Sequence, residues 1–454
     1  MSAQFKSALS NIGWPALLDA TGAQQLAMQF QLEQTQYWPP EQLLEQQLRQ
    51  LRELLVHAAA TVPYYRERFA AVGLDPASIN SATAFQRVPI LTRSAIQDAG
   101  AALHSTTLPS EHGELNEVCT SGSTGRPIRT YGTAVTRFFW AAFTLREHLW
   151  QQRDLGAKLA TIRTEGNDTG PDGHSATSWG EATEHCYVTG PAVMLGLRTP
   201  VDVQAHWLVR HDPKYLLTHP TNLRALTEYC REHGLRLPKL RQVRSFGEML
   251  SDDVRQSCRE VWNVSISDVY SAQEIGYIAL QCPRHEHYHV QSEGVYLEVL
   301  DAQDQPCAPG EIGRIVVTTL HNFAAPLIRY EIGDYAEVGG PCDCGRTLPV
   351  LKRIMGRQRN MLTLPDGRQL WPSFPAAQWS KIAPIRQLQL VQQDLQTIEA
   401  RIVTLAPFTA EQETRLRAFL QERFDYPFTI VLTFLEEIER APNSKFEDFV
   451  SNVE

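Results

Sequence analysis

The sequence predicts an α/β protein. A large N-terminal domain of parallel α/β layers carries a small β-barrel-like part, and a small α+β C-terminal domain follows. Three observations predict this. From about residue 85 to 320, strand-like runs alternate with helical patterns, which is the signature of parallel layers. After residue 288 the runs become short and β-branched. The segment from 357 onward then has its own set of strands and helices.

Residues 1–70 read as helical. Leu43, Leu44, Leu48, Leu51, Leu54 and Leu55 recur at three- and four-residue steps among Gln, Glu and Arg, and Pro63 ends the run. The strand candidates are LATI (159–162), KYLLTH (214–219), RQVRSF (241–246) and VSISDVY (264–270), with a helix over 222–233 between two of them. VYLEVLD (295–301) and IGRIVVTTL (312–320) are separated by 301–310 like a hairpin, hence the antiparallel, barrel-like reading. In the last segment LQLVQQD, ARIVTL and 429–432 read as strands and 410–424 as a helix. The domains are therefore placed at 1–356 and 357–454.

The composition narrows the function classes. The chain has 454 residues and 43% hydrophobic residues, enough for a large buried core. Its 42 Lys and Arg against 51 Asp and Glu leave a net charge of −9. A broad nucleic-acid footprint needs a basic face, so no nucleic-acid partner is expected. No apolar run approaches the length of a membrane span and the N-terminus has no secretory pattern, so a cytoplasmic protein with no membrane partner is expected. Eight cysteines are too sparse for a disulfide scaffold and are expected to be reduced. A monomer or homodimer fits equally well.

The run Val118-Cys-Thr-Ser-Gly-Ser-Thr-Gly-Arg-Pro127 is the most informative stretch. Gly122 and Gly125 let backbone N–H groups face a concavity. Thr120, Ser121, Ser123 and Thr124 add hydroxyls and Arg126 adds a cation. Together they make a phosphate cradle without the Walker spacing. Downstream, Ser245-Phe-Gly-Glu-Met249 and Asp268-Val-Tyr-Ser-Ala-Gln-Glu274 each follow a predicted strand. Open α/β sheets bind ligands at the carboxyl ends of their strands. Arg329-Tyr-Glu-Ile-Gly-Asp334, Gly356-Arg357 and Ala441-Pro-Asn-Ser-Lys445 complete the set.

This ordered set resembles the adenylate-forming superfamily of acyl-CoA synthetases, and within it the phenylacetate–CoA ligase-like branch. The likeness runs from VPYYRERF (62–69) to Lys445 and rests on TSGSTGRP, YSAQE, GEIGRIVVTTL, PLIRYEIGD and the terminal lysine. It implies activation of a small carboxylic acid with ATP and Mg²⁺ to an acyl-adenylate and pyrophosphate. The acyl group then passes to coenzyme A, or alternatively to a carrier protein's thiol or an amine. A non-catalytic, zinc-bearing binding protein on the same fold is the third reading.

Carried onto this chain, the resemblance places Thr120, Ser121, Gly122, Ser123, Thr124 and Gly125 on the ATP phosphates. Gly247 and Glu248 would line the adenine site, Tyr270 would stack on the base beside Ser271, and Glu274 would bind Mg²⁺. Asp334 would accept hydrogen bonds from the ribose. Arg329 and Arg357 would lie near the nucleotide and the domain junction. Lys445 would carry the first half-reaction, because an ammonium relieves the repulsion when a carboxylate attacks the α-phosphate. The C-terminal domain of the family is mobile, and its hinge would fall at 356–360, where Arg359 and Asn360 replace the usual acidic residues. The polar run over 163–190, with His174 and His185, is either a longer solvated loop or the mark of a different acyl substrate.

Cys282, His285, His287 and His289 precede the barrel-like strands, and Cys342 and Cys344 follow them. Four soft ligands suit tetrahedral Zn²⁺. Cys282, His289, Cys342 and Cys344 are the favoured set, with His285 and His287 competing for the histidine place. The zinc would be structural. Cys119, Cys186, Cys230, Cys258 and Cys307 have no ligand spacing, and Cys119 reads as packing.

Overall fold

The fold comes from a computed structural model that describes residues 4–119, 128–164, 170–357, 360–372, 374, 376–379, 381–424, 426–438 and 447–453. Contacts divide the chain into two units. The first joins Met1–Leu250 with Ser257–Ile354, and the second joins Ser251–Gln256 with Met355–Glu454.

In the first unit the N-terminal helices are Ala20–Thr35, Pro40–Thr61 and Pro63–Ala71. Pro63 closes one helix and opens the next at its first position, where a missing N–H costs nothing. Leu43, Leu51, Leu54 and Leu55 are buried on one face of the middle helix, each worth roughly 1.5–3 kcal/mol of burial.

Among the described residues, twelve strands form one mixed sheet. Its parallel part runs Ala192–Gly196, Leu159–Arg163, Tyr215–Thr218, Gln242–Phe246, Ser265–Ala272. His174–Ala176 adds an antiparallel edge. From Ser265–Ala272 the sheet continues antiparallel through Gly276–Gln281, Tyr288–Val290, Val350–Arg357, Tyr330–Val338, Ile312–Thr319 and Val295–Leu300. The expected hairpin over 301–310 joins the last two. The antiparallel strands are thus an extension of the parallel sheet. One apolar cluster collects Ile278, Tyr288, Val290, Val295, Ile315, Val317, Tyr330, Ile332 and Leu351 from all of them. A sheet that shares one interior among its far strands is rolled, which gives the barrel-like part its form.

The second unit holds a four-stranded sheet in the order Thr429–Phe434, Thr397–Thr404, Ile385–Gln392, Phe449–Ser451. The helix Ala410–Phe424 buries Leu416, Leu420 and Phe424 in the same cluster as Leu390, Ile398, Ala400 and Ile430. This is the expected α+β arrangement. No helix among the described residues is long and apolar enough to cross a membrane.

Candidate active site and metal centre

The five parallel strands end on one edge. Register pairs Arg163 with Gly196, Thr218 with Ser245, and Phe246 with Val269. Gly247 follows at φ +77°, a conformation a side chain disfavours. That turn carries Glu248 back over the preceding helix. Its Oε2 accepts a hydrogen bond from the Thr221 N–H at 2.9 Å, so the carboxylate caps the N-terminus of Pro220–Glu232. Beside it, the His219 ring tilts against Phe246 at 4.4 Å, and Nδ1 donates to the Phe246 carbonyl at 3.2 Å. His219 is nearly buried at this edge and was not singled out from sequence. Its one signal is its place immediately after a predicted strand.

Tyr270 and Ser271 lie near the end of Ser265–Ala272, where the register with Gly276–Gln281 shifts between them. Such an irregularity re-aims side chains. Tyr270 donates its O–H to Asp334 Oδ2 at 2.8 Å. Asp334 follows Gly333 (φ +87°) in Tyr330–Val338. Glu274 is half-buried in the turn between Ser265–Ala272 and Gly276–Gln281. Gly247, Glu248, Tyr270 and Asp334 therefore share one region of the first unit.

The phosphate-loop residues Thr120, Ser121, Gly122, Ser123, Thr124 and Gly125 lie outside the described residues, as do Arg359 and Lys445. The loop's flanks, Asn116–Cys119 and Arg129–Gly132, pair antiparallel with Cys119 opposite Arg129. Cys119 is exposed, so its reading as a packed residue is corrected. Arg357 ends the strand Val350–Arg357, and its N–H donates to Asn360 Oδ1 at 3.1 Å.

Arg329 differs from its expected nucleotide-side place. Its guanidinium is buried and meets Glu298 through Nε at 2.9 Å and Nη2 at 3.0 Å, while Nη1 donates to the Gln86 and Val88 carbonyls at 2.7 Å each. These bonds commit the cation to the interior, where it ties the segment around 86–88 to the rolled sheet. The motif that carries Arg329 resembles a site, but the side chain is structural.

His174 is exposed on the sheet edge, and His185 Nδ1 meets Asp19 Oδ2 at 3.2 Å. Neither histidine is drawn to the strand ends. Beneath the edge, sequence reading missed a buried network. Glu147 forms an ion pair with Arg153 at 2.6 Å and with Arg244 at 3.0 Å, and Arg244 Nη2 donates to Tyr277 O–H at 2.5 Å. Burial opposes charge on Glu147, yet Arg153 and then Arg244 hold its carboxyl well below the usual range. The signal was the triplet Arg146-Glu147-His148 at the end of an apolar helix, and all three are buried.

Cys282, His289, Cys342 and Cys344 converge, with their four ligand atoms within 4.8 Å of one another. The Sγ atoms of Cys282 and Cys342 are 3.8 Å apart, and Cys344 Sγ lies 3.4 Å from His289 Nε2. A tetrahedral ion with metal–sulfur bonds of about 2.3 Å spaces two sulfurs about 3.8 Å apart. The cluster therefore has the dimensions such an ion requires. His289 Nδ1 faces the Leu348 carbonyl at 3.4 Å, which directs the proton to Nδ1 and Nε2 to the thiols. Burial, then the charge of His287, Arg346 and Arg146, pushes His289 down to about 4, so the ring is neutral and able to ligate. Burial also pushes the Cys342 thiol up to about 12, with the nearby Cys282 adding to it. Of the competing histidines, His287 Nε2 meets Cys342 Sγ at 3.0 Å and His285 meets Asp343 at 2.5 Å.

No family model matches the chain. A phenylacetate–coenzyme A ligase of Thermus thermophilus is 25% identical over 350 residues, covering 74% of each chain. One from Pseudomonas putida is 25% identical over 353 residues, covering 76% of this chain and 77% of the relative. The crystal structure of a 2-hydroxyisobutyryl-CoA ligase in complex with 2-HIB-AMP superposes with a TM-score of 0.74 at 20% identity, over 92% of this chain and 91% of that one. The fold is the one found in that ligase. The chain is similar in sequence to phenylacetate–coenzyme A ligases over about three quarters of its length.

Proposed function

We propose that this chain activates a small carboxylic acid with ATP to an acyl-adenylate, releasing pyrophosphate, and then transfers the acyl group to coenzyme A. The observation that carries this reading is the Tyr270–Asp334 hydrogen bond beside Gly247 and Glu248 at the ends of parallel strands. An aromatic face, a carboxylate acceptor and a tight glycine turn lie together there, which suits base and ribose.

Thr120, Ser121, Gly122, Ser123, Thr124 and Gly125 take the phosphates, and Tyr270 and Ser271 border the base. Asp334 takes the ribose hydroxyls, and Arg357 belongs to the same proposed nucleotide-binding set. Glu274 offers the carboxylate for Mg²⁺, which supplies charge neutralisation on the phosphates when bound. Lys445 supplies the ammonium that offsets repulsion between the attacking carboxylate and the α-phosphate. Cys282, His289, Cys342 and Cys344 hold a structural Zn²⁺ that ties the turn after Gly276–Gln281 to the connection before Val350–Arg357. The domain division at 356/357 belongs to the same reading.

A pyrophosphate-exchange screen across aryl, alkyl and amino acids tests this. One acid class is expected to drive exchange, with AMP release that then depends on CoA. Exchange with none of them contradicts adenylation. AMP release driven by a carrier-protein thiol or an amine, and not by CoA, contradicts the acceptor.

A further inference from the structure

On the solvent side of the four-ligand cluster lies a second group of ligating side chains. His285, Cys342 and Asp343 each bring one ligand atom within 4.8 Å of the others. Cys342 belongs to both groups. His285 Nε2 and Asp343 Oδ1 meet at 2.5 Å. The His285 ring stacks on His287, with centroids 5.0 Å apart and planes 18° off parallel. His287 Nε2 reaches the Cys342 sulfur at 3.0 Å. Exposure is graded along this path: the Asp343 side chain is 79% exposed and the His285 side chain 38%, whereas Cys282 and His289 are buried.

We propose that His285, Asp343 and Cys342 form a second, solvent-facing site for a divalent cation, and that this site is the entry and exit position for the ion held by Cys282, His289, Cys342 and Cys344. The proposal rests on reading those four residues as a zinc site. A thiolate has more than one lone pair and can bind two cations or pass one between two places without releasing it. An imidazole and a carboxylate supply the other donors, and water completes the coordination. With three protein ligands and an open face, the outer site binds more weakly than the closed inner one. An ion there lies between His285 Nε2 and Asp343 Oδ1, so His285 ligates through Nε2 with its proton on Nδ1. Direct arrival at the inner site would instead require solvent access to His289 and Cys282.

The full-length, zinc-loaded protein is dialysed against Co²⁺ under reducing conditions, and total metal per chain is measured. The expected result is two ions per chain for the wild type and one for the double variant His285→Ala with Asp343→Asn. Release of the inner zinc to a chromogenic chelator should slow by about tenfold or more in that variant, whereas a cluster that merely packs would leave the rate unchanged. One ion in the wild type, two in the variant, or equal release rates would each overturn the proposal. Failure of the inner site reads differently: zinc content after purification would be well below one per chain and unaffected by Cys344→Ser.

Discussion

Tyr270 and Asp334 are hydrogen-bonded at 2.8 Å although four strand-to-strand steps separate their strands in the sheet. In a flat sheet those steps span about 19 Å, at about 4.8 Å each. Two side chains cannot bridge that. The antiparallel half of the sheet must therefore roll until its far strand returns to the parallel strand ends. The roll brings Asp334 beside Tyr270.

Tyr270→Phe keeps the ring and removes only the hydroxyl. Loss of a hydrogen bond to a charged group costs about 1.5 kcal/mol, or roughly tenfold. ATP KM in pyrophosphate exchange should rise by that factor with the acid KM little changed. An equal rise in both would show that the bond supports the whole site rather than the nucleotide.

Arg329→Met should act on stability. It strands a buried Glu298 carboxylate, whose ionisation burial already opposes. The expected loss is about 3–5 kcal/mol in urea unfolding. Adding Glu298→Met should recover much of it, because an apolar pair of similar volume removes the uncompensated charge. A variant of normal stability with lost ATP binding would return Arg329 to the nucleotide.

Cys342→Ser removes one thiolate from the four-ligand cluster. Its melting temperature should fall and its zinc content drop below one per chain, while nucleotide affinity changes little. An unchanged melting temperature would contradict a structural metal.

The pH dependence follows from buried histidines. Burial pushes His321 down to about 4, with His112 adding to the effect. Burial, then the charge of Arg153, holds His148 far below its ordinary value of 6.5. A folded value below the unfolded one means that the unfolded chain takes up protons first as pH falls. For His321 the contribution is full above about 6.5 and is lost between about 6.5 and 4. Urea midpoints should fall across that window, and less steeply in His321→Gln. A flat profile would contradict neutral buried rings.

The strands at 159–162, 214–219, 241–246 and 264–270 were legible because short strand-like runs alternated with helical patterns. The gathering of Cys282, His289, Cys342 and Cys344 was legible because Cys342 and Cys344 share a short turn and the histidines follow Cys282 closely. His289 was favoured with His285 and His287 still competing, because the choice depends on burial and on which ring nitrogen faces Leu348. Arg329 misled because a motif preserves a chain segment, whereas the direction of a guanidinium is set by the buried partner it meets. The Glu147–Arg153–Arg244 network was hidden because a charged triplet at a helix end usually faces solvent, and here tertiary packing buries it.

The role of Lys445 is tested most directly by separating the half-reactions in Lys445→Ala. Adenylate formation should fall by about two to three orders of magnitude, the loss expected from one cation aimed at developing charge. Acyl transfer from a supplied acyl-adenylate to CoA should stay within a few-fold of wild type. An equal fall in both steps would contradict the assignment of this lysine to acid activation.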